Sequence, residues 1–245
     1  MAEGQRGDRR RADPEKRRQR AERILAAAAR LYERWGYEKT TIEDIARAAG
    51  VAKGTIYLHW KTREALFMAV LLREWLQLID DVVADLAADP DGPTLHAIVG
   101  HSLAALSRRP LAKALLSRDP QTLGHIVRSQ SPQPRSFMQL RMTFLRDLIT
   151  LLRAEGVVRD DLSTEQVEYL LGAIAIGAIT IDQLWIETLP LSDEQQIEMI
   201  VEAIKRTLET GRPMSAESRA KVMTFFRESV NFLANEAVST MSEER

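Results

Sequence analysis

The sequence predicts an all-α protein, with a three-helix head at the N-terminus and a larger helical body behind it. Apolar residues recur at helical spacing through almost all of the 245 residues. The interruptions fall at Gly, Pro and capping residues, where helices start and stop. No segment alternates polar and apolar residues as a half-buried strand does, and no internal repeat is visible.

Residues 1–13 (MAEGQRGDRRRAD) are polar, Arg-rich and aperiodic, the pattern of a disordered basic tail. Asp13-Pro14-Glu15 then reads as a helix start, a capping carboxylate followed by proline at the first helical position. Ile24, Leu25, Ala28, Leu31, Tyr32 and Trp35 fall on one face of that helix, and Gly36 is placed to end it. Thr41, with Asp44 three residues on, caps a short helix over 42–49 that Gly50 closes. A second short helix, about 52–59, follows after only Val51. Two short helices joined by a Gly-containing turn form a helix-turn-helix. Ile45, Ala46, Ala49, Val51 and Ile56 supply its small core. Lys53, Gly54, Thr55, Tyr57 and His59 remain on a free face: a cation, two hydroxyls, an imidazole and a glycine that admits close backbone approach, all suited to DNA.

From Thr62 a long amphipathic helix carries Leu66, Val70, Leu71, Trp75, Leu78, Ile79, Val82 and Leu86 on one side. It stops at Asp89-Pro90-Asp91-Gly92-Pro93. Arg109-Pro110 and Asp119-Pro120 bound two short helices. Ser131-Pro132-Gln133-Pro134 precedes a longer one ending near Gly156. Ser163 or Thr164 opens another that Leu189-Pro190 closes. A helix over 193–210 and a last one over about 215–238 complete the chain.

Composition narrows the function classes. Hydrophobic residues make up 45% of the chain, enough for a packed core. There is no cysteine, which excludes disulfides and thiolate metal sites and fits a reducing cytosol. The N-terminus lacks the apolar run of a secretory signal, and the uncharged, apolar stretch 169–181 is too short to span a bilayer. Residues 1–73 carry 17 Lys and Arg against 10 Asp and Glu, whereas residues 74–245 carry 17 against 25. A basic head on an acidic body points the head at a polyanion. His96 and His101 are five residues apart, which does not place both on one helical face. Asp160-Asp161 reads as turn chemistry. With no phosphate-binding loop after a strand and no nucleophile elbow, the chain is expected to be no enzyme and to need no cofactor or metal.

The segment TIEDIARAAGVAKGTIYLHWKTREAL over 41–66 closely resembles the helix-turn-helix of the tetracycline-repressor (TetR) family of bacterial regulators. The pattern of that family reads T-x-x-x-I-A-x-x-A-G-V-[ST]-x-G-T-[LI]-Y-x-H-F-x-x-K-E-x-L. The resemblance covers about residues 14–67. It implies base-edge contacts at Lys53, Gly54 and Thr55, and phosphate contacts at Thr41, Tyr57, His59, Lys61 and Arg63. It also implies that Ile56 and Trp60 anchor the recognition helix. Three positions depart from the pattern. Ala52 stands where Ser or Thr is usual and removes a side-chain cap worth about 1 kcal/mol. Trp60 replaces Phe, and Arg63 replaces Lys with a different donor geometry. Arg9, Arg10 and Arg11 admit two readings, a minor-groove arm or a solvated tail.

The resemblance further implies three units: a basic tail (1–13), a DNA-binding domain (14–62), and a body (63–245) that binds a small ligand and forms a homodimer. The candidate dimer helices are about 164–188 and 193–210; residues 170–181 are apolar nearly all round, as a helix facing both its own core and a partner should be. Candidate pocket residues are Trp75, His96, His101, Met138, Met142, Phe144, Tyr169, Gln183 and Trp185, which would suit a hydrophobic effector. The expected partners are double-stranded operator DNA, that effector and a second copy of the chain, with no membrane, in the cytoplasm at the nucleoid. The expected function is a repressor released by its ligand. Alternatives are a regulator whose ligand strengthens binding or activates, and a DNA-bound interaction protein without a ligand.

Overall fold

The computed structural model describes residues 4–117, 119–124, 132–184 and 190–243, with the side chains of 14–117, 119, 121–124, 139, 142–181 and 190–232. The described residues form eleven helices: α1 (Gly4–Lys39), α2 (Ile42–Ala49), α3 (Lys53–Tyr57), α4 (Arg63–Ala88), α5 (Leu95–Ser107), α6 (Pro110–Ser117), α7 (Pro120–Leu123), α8 (Pro132–Ala154), α9 (Thr164–Leu184), α10 (Asp193–Leu208) and α11 (Ala216–Glu243). The one β contact among them is an isolated antiparallel bridge between Val158 and Glu209.

α1 begins at Gly4 rather than at Pro14, so residues 4–13 continue the helix instead of forming the expected disordered tail. The Arg, Gln and Ala residues of the segment are good helix formers and outnumber Gly4 and Gly7, and they carry the helix past Pro14, whose ring opposes it. The side chains of Arg9, Arg10 and Arg11 lie outside the described residues. The helical path of α1 is broken at Gly36 (φ 73°, ψ 171°), the stop that the sequence places there. That reversal swings Tyr37 into the core and leaves Trp35, expected on the buried face, 41% exposed.

Two apolar cores divide the molecule. One joins Ile24, Ala28, Tyr32 and Tyr37 of α1 to Ile45, Ile56, Leu66, Phe67 and Val70. The other gathers Leu78, Val82 and Leu86 of α4 with α5, α8, α9, α10 and α11. α4 thus serves both cores, and the packing divide lies within it rather than at residue 62. Leu111 and Ala114 of α6 and Leu123 of α7 belong to the first core, so the body inserts a wedge into the head. The seam carries charge. Arg73 of α4 meets Glu22 of α1 at 3.1 Å and Glu74 at 2.9 Å. Arg109 reaches Glu74 at 3.4 Å and Asp81 at 2.7 Å.

Candidate nucleic-acid interface

α2 is defined at both ends by local chemistry. The Thr41 hydroxyl donates to Asp44 Oδ2 at 2.6 Å and accepts from the Asp44 N–H at 3.2 Å, while the Thr41 N–H donates to Asp44 Oδ2 at 3.4 Å. These bonds, led by the hydroxyl, hold the Asp44 carboxyl below its ordinary pKa. Gly50 closes the helix in the left-handed region, with the Gly50 and Val51 N–H groups returning to the carbonyls of Arg47 and Ala46. α3 has no side-chain cap at Ala52, as the substitution implies. It ends at Tyr57 rather than His59, because Leu58 caps it in the αR region and the Trp60 N–H turns back to Ile56.

Burial fixes which way α3 faces. Ile56 is fully buried and Trp60 packs beside it, so the opposite side presents Lys53, Gly54, Tyr57 and Leu58 to solvent. Leu58 is 69% exposed. Lys61 is exposed, Thr55 and His59 are half-buried, and the His59 ring lies 5.2 Å from that of Trp60. Lys53 sits 6.0 Å over the Tyr57 ring and is hydrogen-bonded to Glu43 of α2. That bond lowers the Glu43 pKa and raises that of Lys53. Arg63 is set back: its guanidinium lies 4.1 Å from the Tyr37 ring centroid, donates to the Thr40 carbonyl at 3.4 Å and comes within 3.9 Å of Glu38. The structure therefore gathers Thr41, Lys53, Gly54, Thr55, Tyr57, His59 and Lys61 around one exposed short helix, with Arg63 packed at its rim.

Residues 24–70 match the model of the family described as bacterial regulatory proteins, tetR family. Its DNA-binding domain belongs to the TetR family. The chain is 32% identical over 85 residues to an uncharacterized HTH-type transcriptional regulator, YerO, of Bacillus subtilis, covering 34% of this chain and 29% of that one. The match thus spans under a third of that relative's length. It is 26% identical over 153 residues to the HTH-type transcriptional repressor KstR2 of Mycolicibacterium smegmatis, covering 60% of this chain and 72% of the relative. The fold is that of the fatty acid degradation regulator FadR from Bacillus halodurans, with TM-score 0.59 and 15% identity over 80% of this chain and 97% of that one. The comparisons thus place a TetR-type helix-turn-helix at residues 24–70, and no described helix is long and apolar enough to cross a membrane.

In the body the candidate pocket residues whose side chains are described do not converge. The His96 backbone N–H donates to Glu209 Oε1 at 2.9 Å and its Nδ1 lies 2.7 Å from Oε2, tying α5 to the end of α10. His101 Nε2 lies 2.7 Å from Asp89 Oδ2. Burial opposes ionisation of Asp89, but the His101 bond and the Asp91 and Gly92 N–H groups outweigh it and lower its pKa. Trp75 is half-buried in the body core, and Phe144 packs 5.6 Å from Phe225 and 5.2 Å from Phe226. Tyr169 and Met142 are exposed, each on the solvent side of its helix. Trp185 and the side chains of Met138 and Gln183 lie outside the described residues. A half-open recess lies elsewhere, between α5, α6, α9 and α10, lined by Leu103, Leu106, Lys113, Ile179, Gln196 and Ile200 among others. Sequence reasoning missed it because its walls come from four separate helices. It also missed Glu43, whose partner lies ten residues on, across the turn.

Proposed function

We propose that the protein is a ligand-responsive repressor that grips a pseudo-palindromic operator as a homodimer in the cytoplasm. The observation that carries this is the outward face of α3, where Lys53, Gly54 and Tyr57 are exposed while Ile56 locks the helix from behind. Lys53, Gly54 and Thr55 would meet base edges. Thr41, Tyr57, His59, Lys61 and Arg63 would meet phosphates. The dimer would form through the outer faces of α9 and α10, placing two recognition helices about 34 Å apart in successive major grooves. A small apolar effector in the body would favour a different spacing and release the DNA, and operator and effector affinities would then be coupled reciprocally. The recess against α6 is a suitable seat, since the far side of α6 packs in the core of the head.

The test is fluorescence anisotropy of labelled DNA from the protein's own upstream region against a scrambled duplex, across a salt series, with Tyr57→Ala as control. Selective binding that the substitution weakens by about tenfold supports the reading. No binding to either duplex at low salt removes it. Titrating candidate effectors into the complex then fixes the sign of the response: dissociation means induction, and tightening means co-repression. A complex insensitive to every effector class would favour a DNA-bound interaction protein.

A further inference from the structure

We propose that Glu43 is a specificity-determining residue: together with Lys53 it reads one G·C base pair in the major groove, its carboxylate accepting from the free N4–H of cytosine while the Lys53 ammonium donates to guanine O6 and N7. The inference rests on α3 being the recognition helix.

Glu43 lies in the first turn of α2 and Lys53 opens α3, and their side chains, 54% and 51% exposed, are bonded to each other on the outward side of the helix-turn-helix. On a surface that meets DNA, an unpaired negative charge is repelled by the phosphates. Capping α2 does not require Glu43, because Thr41 and Asp44 already form the reciprocal cap. Asp44 also leaves the dipole of that helix end complemented without Glu43.

The pair matches one base-pair edge. Guanine shows two adjacent acceptors, N7 and O6, and the cytosine opposite shows the N4 donor. O6 and N4 are hydrogen-bonded to one another across the pair, so a donor and an acceptor that are themselves hydrogen-bonded, as Lys53 and Glu43 are, can address both at once. An ammonium has three N–H donors, one spent on Glu43 and two left for O6 and N7. On an A·T pair the N6 donor lies between two acceptors, and an ammonium beside a carboxylate on N6 reaches only one of them. The ion pair also orders the flexible lysine stem before DNA arrives, which lowers the entropy cost of a specific contact.

Binding-site selection from random-sequence duplexes by the full-length protein, Glu43→Ala and Glu43→Gln tests this, followed by anisotropy on the selected site carrying N4-methylcytosine at each cytosine in turn. The methyl group replaces the groove-facing N4 proton and leaves base pairing intact. The wild type is expected to require one G·C pair per half-site and to lose about tenfold in affinity when that cytosine is methylated. Glu43→Ala should keep only the guanine preference that Lys53 supplies, discriminate less against other base pairs there, ignore the methyl group and bind random DNA more tightly; Glu43→Gln, which keeps an acceptor oxygen, should retain part of the lost preference. Glu43 is exposed, so unchanged thermal unfolding of the variants is expected and would separate the effect from folding. A wild type indifferent to N4-methylation at every cytosine, or a Glu43→Ala variant with all its base preferences intact, would overturn the proposal. A wild type that selects no sequence at all would overturn the recognition-helix reading, and this one with it.

Discussion

Arg63 occupies a position where the resemblance implies a phosphate contact, yet in the free protein it stacks on Tyr37 at 4.1 Å. Such a contact is worth about 0.5–1 kcal/mol at a partly exposed site. Arg63→Lys keeps the charge but loses the planar stack, so it is expected to lower stability by about that amount while keeping most DNA affinity; Arg63→Ala should lose both. Parallel urea melts and DNA titrations check this, and equal affinity for Arg63→Ala and wild type would leave Arg63 only its structural role. Beneath it, the Tyr37 hydroxyl donates to Glu64 Oε1 at 2.8 Å. Burial and then this bond push the Tyr37 phenol up to about 12. The Glu64 backbone N–H and then the Tyr37 hydroxyl lower the Glu64 carboxyl below its ordinary value of 4.5. The Glu64 contribution is present above the ordinary carboxylate range and is lost as pH falls through the lowered pKa. The Tyr37 contribution is present below the ordinary phenol value of 10.0 and is lost as pH rises through about 12. Tyr37→Phe should therefore cost about 1 kcal/mol at neutral pH, with the deficit shrinking below about pH 4. Urea denaturation of the two proteins at several pH values measures it, and a deficit that stays constant into acid would contradict the assignment.

Helix ends were legible where their signals are local. The limits of α2 follow from Thr41, Asp44 and Gly50, all within one turn of the ends they define. The end of α3 goes with the burial of Ile56 and the packing of Trp60 against the core of the head, a tertiary effect that no neighbouring residue announces. Trp35 was misplaced for the same reason, because helical periodicity says nothing of the chain reversal that brings Tyr37 into its place. At the site, the outward residues of α3 could be read from the helix-turn-helix pattern, whereas the Glu43–Lys53 pair depends on how two helices cross. Gly36 and Gly50 show two ways in which a glycine can hold an element end. At Gly50 (φ 65°, ψ 40°) an added Cβ meets nothing within 4 Å, so Gly50→Ala should cost only the left-handed backbone term, about 1 kcal/mol. At Gly36 the backbone lies in a region open almost only to glycine, and a Cβ would stand 2.6 Å from the Gln121 carbonyl oxygen of α7. Gly36→Ala should cost about 3 kcal/mol or more, since strain and displacement of α7 add. Thermal unfolding ranks the two, and a Gly36→Ala protein as stable as Gly50→Ala would mean that α7 is not seated on α1.

At the scale of the molecule the head is not free of the body. Leu123 of α7 is 3% exposed inside the head's core, so Leu123→Ala should cost about 2–4 kcal/mol and loosen α1 even though the residue lies far along the chain from it. Hydrogen exchange would locate the loss, and exchange that rises only in the body would refute the shared core. The outer surface of the body poses the converse question, of what its exposed apolar side chains face. Single exposed apolar residues are ordinary. Tyr169 and Ile176, however, stand seven residues apart on one stripe of α9, 75% and 60% exposed, and Met199 on the adjoining α10 is 62% exposed. A recognition helix of five residues touches few bases, so selective binding needs two copies held in fixed register. If this stripe is the seam between them, a charge on it should separate the copies without unfolding either, because the substituted residue is already exposed. Ile176→Glu is therefore expected to sediment at the 27.7 kDa of one chain, and the wild type at twice that mass. It should also lose about 100-fold in operator affinity, as the second half-site is no longer bound within the same complex. Affinity for an isolated half-site should be unchanged, which separates loss of the dimer from damage to the head. A variant that stays dimeric with full operator affinity would place the interface elsewhere on the body and leave the α9 stripe to some other partner.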